Sequence, residues 1–375
     1  MRRFLCLFVA CLCLLAVVPA VALAEGYDCK SCLVVGEGQQ TPLLEQKGDV
    51  SLSAAGLCKL PAVLTLCRAF DNEVIEENTL MSVSRRAAGI SGPTAFLEAG
   101  EQIAAGELLK AAVMLSAGDA LCTLGENAFG SESVFCQNIS VTCRELGVEK
   151  EFSDCTGAGM TFTAGELALL GLEAARSPSF CRWAGIYMDE IVHPGGRRTE
   201  LVNANRMLRS YGGCFGMMTG SSAQDGYCGV FAAKKNDTLA VAVVLGAPNS
   251  QKRFAIAGEL LDHVFANYRQ VTAARAGSPL AEGVEVRSGS VKQVDLVSHD
   301  TVAFLRPKGE EALEKTLEVT EPLTAPLRTD TPVGTVTFRA GEEVLCTIDL
   351  YPGEDVESRS YLALLRQCME AYIRS

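Results

Sequence analysis

The sequence predicts a mixed α/β (α+β) domain followed by a small all-β C-terminal domain and a terminal amphipathic helix. Three observations carry that expectation. As far as about residue 270, apolar residues recur both at helical spacing and in strand-like runs. After a break rich in Ala and Gly, only short strand-like runs separated by turn residues follow. The final segment, 361–373, returns to a helical rhythm.

The chain opens Met1-Arg2-Arg3, continues as an apolar run over 4–21 and reaches Ala22-Leu23-Ala24. A positive start, an apolar middle and a small-x-small end are the layout of a secretory signal peptide over 1–24, so the protein is expected to be exported and to begin at Glu25. The run also touches the lower edge of the length a bilayer span needs, which leaves a single membrane anchor as the alternative. Without 1–24, 351 residues remain and the formal charge of −12 becomes −14, because Arg2 and Arg3 leave. That length suits two domains. That charge argues against nucleic acid as a partner.

The first domain is placed at 25–272. Leu57, Leu60, Leu64 and Cys67 recur as on one helix, and further helices are expected over 108–115, 120–128, 134–146 and 253–268. Runs 227–233 and 239–245 flank Lys234-Lys235-Asn236-Asp237 and read as a hairpin. The boundary falls in 272–283, around Pro279. The β-rich domain, 281–356, holds runs at 284–286, 294–297, 302–305, 317–319, 334–338 and 344–350. In the last segment, 357–375, Tyr361, Leu362, Leu364, Leu365, Cys368, Met369, Tyr372 and Ile373 form one face. Arg359, Arg366, Gln367, Glu370 and Arg374 stand opposite, as expected of a helix lying on a membrane surface or packing on the β-rich domain.

Of 16 cysteines, three lie within 1–24, leaving an odd 13 that cannot all pair internally. Cys67 and Cys122 fall in apolar helical patterns and read as small core hydrophobes, so mostly free thiols are expected. Cys29-x-x-Cys32 starts an apolar run, has no second C-x-x-C to complete a zinc set, and the three histidines, His193, His263 and His299, are far apart. No metal and no cofactor is expected.

Several segments, in order, resemble the serine-type D-alanyl-D-alanine carboxypeptidases, the low-molecular-mass penicillin-binding proteins of peptidase family S11. They are Phe96-Leu97-Glu98-Ala99-Gly100-Glu101 with Leu108-Leu109-Lys110, then Arg144-Glu145-Leu146-Gly147, then Asn203-Ala204-Asn205-Arg206-Met207-Leu208. Asp225-Gly226-Tyr227-Cys228 and Val243-Val244-Leu245-Gly246-Ala247-Pro248 follow, and Leu323-Thr324-Ala325-Pro326 and Pro332-Val333-Gly334 match the C-terminal domain. The resemblance implies a transpeptidase domain of penicillin-binding-protein/β-lactamase type. It also implies removal of the terminal D-alanine from peptidoglycan stem peptides by three motifs: Ser-x-x-Lys, Ser-x-Asn and Lys-Thr-Gly.

Each motif is incomplete here. Lys59 stands where the motif lysine belongs, but the nucleophile position is Gly56, and none of the eleven lysines has Ser three residues before it. Glycine has no atom to attack a carbonyl. Pro61 suggests that the helix begins later, with Lys59 in an extended segment. Ser51, Ser53 and Cys58 are substitute nucleophiles to weigh. The second motif reads Ser116-Ala117-Gly118, so Ser116 survives as a relay or simply caps the next helix, while the amide-binding asparagine is Gly118. The third reads Met218-Thr219-Gly220, which keeps Thr219 and Gly220 for a peptide but loses the ammonium. By the resemblance Arg253 holds the substrate carboxylate; by the residues alone it is a surface arginine at a helix start. The expected protein is an exported carboxypeptidase homologue at the cell wall or the outer face of the cytoplasmic membrane. It would bind peptidoglycan stem peptide or muropeptide without catalysis; the alternative is an active enzyme with a rerouted nucleophile.

Overall fold

The computed structural model describes residues 26–39, 41–309, 313–319 and 322–359. The expected signal peptide at 1–24 and the amphipathic stripe at 361–373 lie outside the described residues. Among these residues no helix is long and apolar enough to cross a membrane.

The centre of the first domain is an antiparallel sheet. Its strands run in the order Thr219–Ser222, Gly226–Lys235, Thr238–Ala247, Ser31–Gly36, Leu44–Gln46, with Cys214–Gly216 also on Gly226–Lys235. The hairpin is longer than the sequence reading had it. Lys234 and Lys235 continue the ladder, and only Asn236 and Asp237 turn, both at positive φ (48° and 63°). Two left-handed residues make the tight turn whose twist matches that of the strands, and Asn and Asp tolerate it best after Gly.

The helices are α1 (Leu60–Asp71), α2 (Arg85–Ala88), α3 (Ala105–Leu115), α4 (Gly118–Phe129), α5 (Glu132–Glu145), α6 (Ala164–Ala174), α7 (Pro178–Ala184), α8 (Met207–Ser210) and α9 (Ser250–Asn267). The expected helices at 108–115, 120–128, 134–146 and 253–268 correspond to α3, α4, α5 and α9. α6 and α7 were not expected. Ala164–Ala174 is apolar nearly all round because it lies between α1 and the sheet, so it has no polar face for a period to reveal. Its start was legible in the reciprocal cap of Thr163 and Glu166.

Strand residues alternate between two cores. Leu33, Val35, Val230, Val241 and Val243 face α6 and belong to the core that residues of α1, α3 and α4 complete, and Cys32, Val34, Phe231, Ala242 and Val244 face α9. α9 passes directly into strand Tyr268–Ala274, which pairs with Val302–Pro307. The segment read as a loose boundary, 272–283, is therefore mostly taken up by the ends of this strand and of Pro279–Arg287. A second sheet runs Glu314–Val319, Gly334–Ala340, Glu343–Pro352, Gln293–Val297, Pro279–Arg287, Leu323–Thr324. It encloses a separate apolar cluster that includes Val286, Leu296, Val336, Phe338 and Leu350.

Candidate functional site

The residues of the first motif sit on a single 3₁₀ turn, Ala55–Lys59, that leads into α1. Pro61 lies in the first turn of α1, where its missing N–H costs nothing. Lys59 is consequently not extended, as Pro61 had suggested, but helical (φ −82°, ψ −14°). In a 3₁₀ helix three residues complete a turn and i and i+3 eclipse, so positions 56 and 59 project side by side. The relation that Ser-x-x-Lys needs is retained in the backbone.

Lys59 is buried, and its Nζ donates to the Ser116 carbonyl at 2.8 Å. Burial pushes its pKa down, and the nearby Asp119 carboxylate opposes that shift. Ser116 closes α3 in the left-handed region (φ 56°, ψ 38°) and does not cap α4. The capping position there is Ala117, without a side-chain bond. The cap reading for Ser116 is thus corrected: its place is the junction of α3 and α4, with its carbonyl turned to Lys59.

Gly118 is the first residue of α4, and a Cβ built there would lie 3.3 Å from Lys59 Nζ but 2.6 Å from Cγ2 of Ile90. Ile90, almost buried, occupies the room that a side chain at 118 requires. The next residue, Asp119, is buried and accepts from the N–H groups of Ala95 (2.9 Å), Leu97 (3.1 Å) and Ala120 (2.8 Å), which fastens the 90–100 loop to α4. Sequence reading passed over Ile90 and Asp119, whose roles come from neighbours far away in the chain.

Opposite the 3₁₀ turn runs the edge strand Thr219–Ser222, which among the described residues is paired on one side only, to Gly226–Lys235. A Cβ built at Gly56 would meet only Gly220 Cα at 3.7 Å and Thr219 O at 3.9 Å. The reverse contact is tight, since a Cβ at Gly220 would come within 2.5 Å of Gly56 N. Gly220 is thus required for strand and turn to approach this closely. Met218 is buried in the core shared with the helices, and its carbonyl accepts from Val230 N at 2.9 Å.

Arg253, in the first turn of α9, is no surface arginine: it is 5% exposed. Its Nη1 donates to the carbonyls of Gly220 (3.2 Å) and Cys228 (3.0 Å), bracing the edge strand from behind. Its Nε has no hydrogen-bond partner among the described residues, and desolvation pulls its pKa down to about 10.

The substitute nucleophiles fare unequally. Ser51 is exposed and bonded to Thr161 Oγ1 at 2.8 Å, and Ser53 lies on the same short strand pair, Leu52–Ser53 with Thr161–Phe162. Cys58 is buried with its Sγ toward the Met160 carbonyl (3.4 Å), and burial pushes its thiol pKa up, away from the reactive thiolate. Gly56, Lys59, Ser116, Gly118, Thr219, Gly220 and Arg253 form one continuous chain of contacts; Ser51 and Ser53 stand apart from it.

A helix-flanked antiparallel sheet whose edge strand faces a lysine-bearing turn and a helix junction defines a penicillin-binding transpeptidase-type domain, here followed by an all-β domain. The family model described as D-alanyl-D-alanine carboxypeptidase, peptidase S11, matches residues 20–249, and that of the penicillin-binding protein 5 C-terminal domain matches 268–358. The chain belongs to the S11 family of D-alanyl-D-alanine carboxypeptidases, the low-molecular-mass penicillin-binding proteins. It is 27% identical to D-alanyl-D-alanine carboxypeptidase DacF of Bacillus subtilis over 92% of this chain and 90% of that one. With DacC of Escherichia coli it shares 25% over 90% and 86% of the two chains. Among solved structures, penicillin-binding protein 5 of Haemophilus influenzae superposes with a TM-score of 0.73 at 20% identity, covering 90% of this chain and 99% of that one.

Proposed function

We propose that this protein is an exported, non-catalytic D-alanyl-D-alanine carboxypeptidase homologue that binds peptidoglycan stem peptides in the inherited cleft. The observation that carries this reading is Gly56. It stands beside Lys59 and across from Thr219 and Gly220, where a Cβ would meet nothing nearer than 3.7 Å. Lys59, partly desolvated, has no hydroxyl at position 56 to activate. Ile90 at Gly118 and the burial of Met218 support the same reading, because the space and the charge of the other two motifs have been given up to packing. What remains is a one-sided edge strand, which can pair with an extended peptide by backbone hydrogen bonds. Arg253 supports the shape of that edge. The stripe at 361–373 is proposed to hold the protein at a membrane surface.

Two measurements test this. A fluorescent penicillin is expected to leave no covalent label on the denatured protein; stoichiometric label mapped to Ser51, Ser53, Cys58 or Ser116 would establish an active enzyme instead. Muropeptides ending in D-Ala-D-Ala are expected to bind saturably, and more tightly than those trimmed of the last residue. Equal binding of the two, or none, defeats the cleft reading. For the membrane component, cosedimentation with liposomes is expected to be lost on deletion of residues after Glu357, and equal cosedimentation would reject it.

A further inference from the structure

α4, α5 and the loop ahead of strand Thr161–Phe162 bring together two thiols and a carboxylate. Cys122 Sγ, Cys155 Sγ and a carboxylate oxygen of Glu132 all lie within 4.8 Å of one another, with both cysteines buried and Glu132 partly exposed. We infer that Cys122, Glu132 and Cys155 form a binding site for a thiophilic divalent cation, of which Zn²⁺ is the chemical type.

The geometry is close to what such an ion needs. Tetrahedral zinc with bonds of about 2.3 Å to sulfur and about 2.0 Å to oxygen holds its ligand atoms roughly 3.5–3.8 Å apart, so side-chain adjustments of an ångström or less would close the set. Two soft thiolates favour zinc over magnesium or calcium. Cys136, one turn along α5 from Glu132, is buried next to them, and burial, helped by the charges of Glu132, Asp154 and Cys122, pushes its thiol up to about 11.

The surroundings are those of a supported ligand set. Arg86 reaches Glu132 through Nε and Nη2, both at 3.2 Å, and Asp154 through Nη2 at 2.7 Å. The Cys155 N–H also points at Glu132 Oε1, at 3.3 Å. A carboxylate has about four acceptor positions, so these three hydrogen bonds orient Glu132 and leave about one lone pair, on Oε2, for a metal. An ion would offset most of the local negative charge: two thiolates with Glu126, Glu132 and Asp154 carry −5, against +3 for Arg86 and the ion. Cys122 Sγ now lies 3.4 Å from Glu126 Oε1, and that thiol proton is one that metal binding would release. Glu132 has a side-chain exposure of 22%, so an ion can enter from solvent.

The site also bears on the cleft. Thr156, next to Cys155, has its Cγ2 3.7 Å from the Cβ position of Gly118, and Gly157 packs on the Cys58 backbone. An ion held by Cys155 would therefore brace the loop that walls Lys59, whatever the cleft binds.

The test is Co²⁺ titration of the reduced, full protein, followed by Zn²⁺ competition. We expect one equivalent to bind, with the near-ultraviolet thiolate-to-cobalt absorption, displacement by Zn²⁺ and a rise in melting temperature. Cys122→Ser and Cys155→Ser should each weaken that absorption, and Glu132→Gln, at a partly exposed position, should keep the fold and lower the affinity. Cys29→Ser/Cys32→Ser should leave binding intact. No thiolate absorption, absorption unaffected by Cys122→Ser and Cys155→Ser, unchanged affinity in Glu132→Gln, or loss in the Cys29/Cys32 variant would each overturn the site. So would a Cys122–Cys155 disulfide whose reduction leaves a protein that takes up no metal.

Discussion

Alanine placed at Gly56 and at Gly118 should move stability in opposite directions. Both lie in helical turns, at Gly56 and Gly118, neither at positive φ. Glycine to alanine at such positions ordinarily stabilises by up to about 1 kcal/mol, through the lower entropy of the unfolded chain and better helix propensity. At Gly56 the new methyl would meet nothing nearer than 3.7 Å, so that gain should be realised. At Gly118 the methyl would sit 2.6 Å from Ile90 Cγ2 and 3.3 Å from Lys59 Nζ. Overpacking of this kind costs about 1–3 kcal/mol, which outweighs the backbone gain and leaves a net loss of about 1–2 kcal/mol. Urea unfolding followed by fluorescence reads this out cleanly, because the single tryptophan, Trp183, lies in α7 of the first domain. The midpoint should rise for Gly56→Ala and fall by roughly 0.5 M for Gly118→Ala at an unchanged m-value. Ile90→Ala, itself costing about 2–5 kcal/mol, should combine with Gly118→Ala less than additively, by 1 kcal/mol or more. Equal rises in the two single variants would refute the claim that Ile90 fills the lost side chain's space. The same argument implies that Gly56→Ser, Gly118→Asn, Met218→Lys is not a sufficient reconstruction of the site. Ile90 must be trimmed as well.

Two further outcomes follow from buried charge. Met218→Lys places an ammonium in the shared core and should cost several kcal/mol at pH 7. Its folded-state pKa would be depressed, so the deficit against the parent should shrink as pH rises from the folded value toward about 10.4; a deficit constant over that range would mean the lysine reaches solvent. Glu101 is the second case. Burial raises its pKa, but the Glu98 N–H, Arg197 (2.7 Å) and His193 (3.2 Å) outweigh burial and hold it below the ordinary value. Its contribution is present above the unfolded pKa and lost as pH falls through the folded one. Glu101→Gln should cost about 1–3 kcal/mol at pH 7 and progressively less as pH falls through the lowered folded-state pKa, measured as denaturation midpoints. A gap that widens in acid would refute this.

The amino-acid sequence by itself determined the order of elements wherever one face of an element is buried. α5 and α9 each bury a single face, so their periods were visible; α3, α4 and the hairpin strands, buried on more than one face, were legible only as apolar runs, and α6, apolar nearly all round, was not expected. It also determined which side chains stand at positions 56, 118 and 218, because chemistry missing from a side chain is missing in any fold. Only the tertiary structure decided what those absences became. That the 56–59 relation survives depends on a 3₁₀ turn packed against Gly220, and that Gly118 lacks room depends on Ile90, 28 positions earlier in the chain. Arg253, ambiguous as a helix-start residue, is buried because α9 lies across the strands whose carbonyls it meets. Cys122, Glu132 and Cys155 have no recognisable spacing, since their proximity comes from the packing of α4, α5 and a loop. Contacts between residues distant along the chain are set by how faces pack in three dimensions, and periodicity records only that a face is buried, not against what.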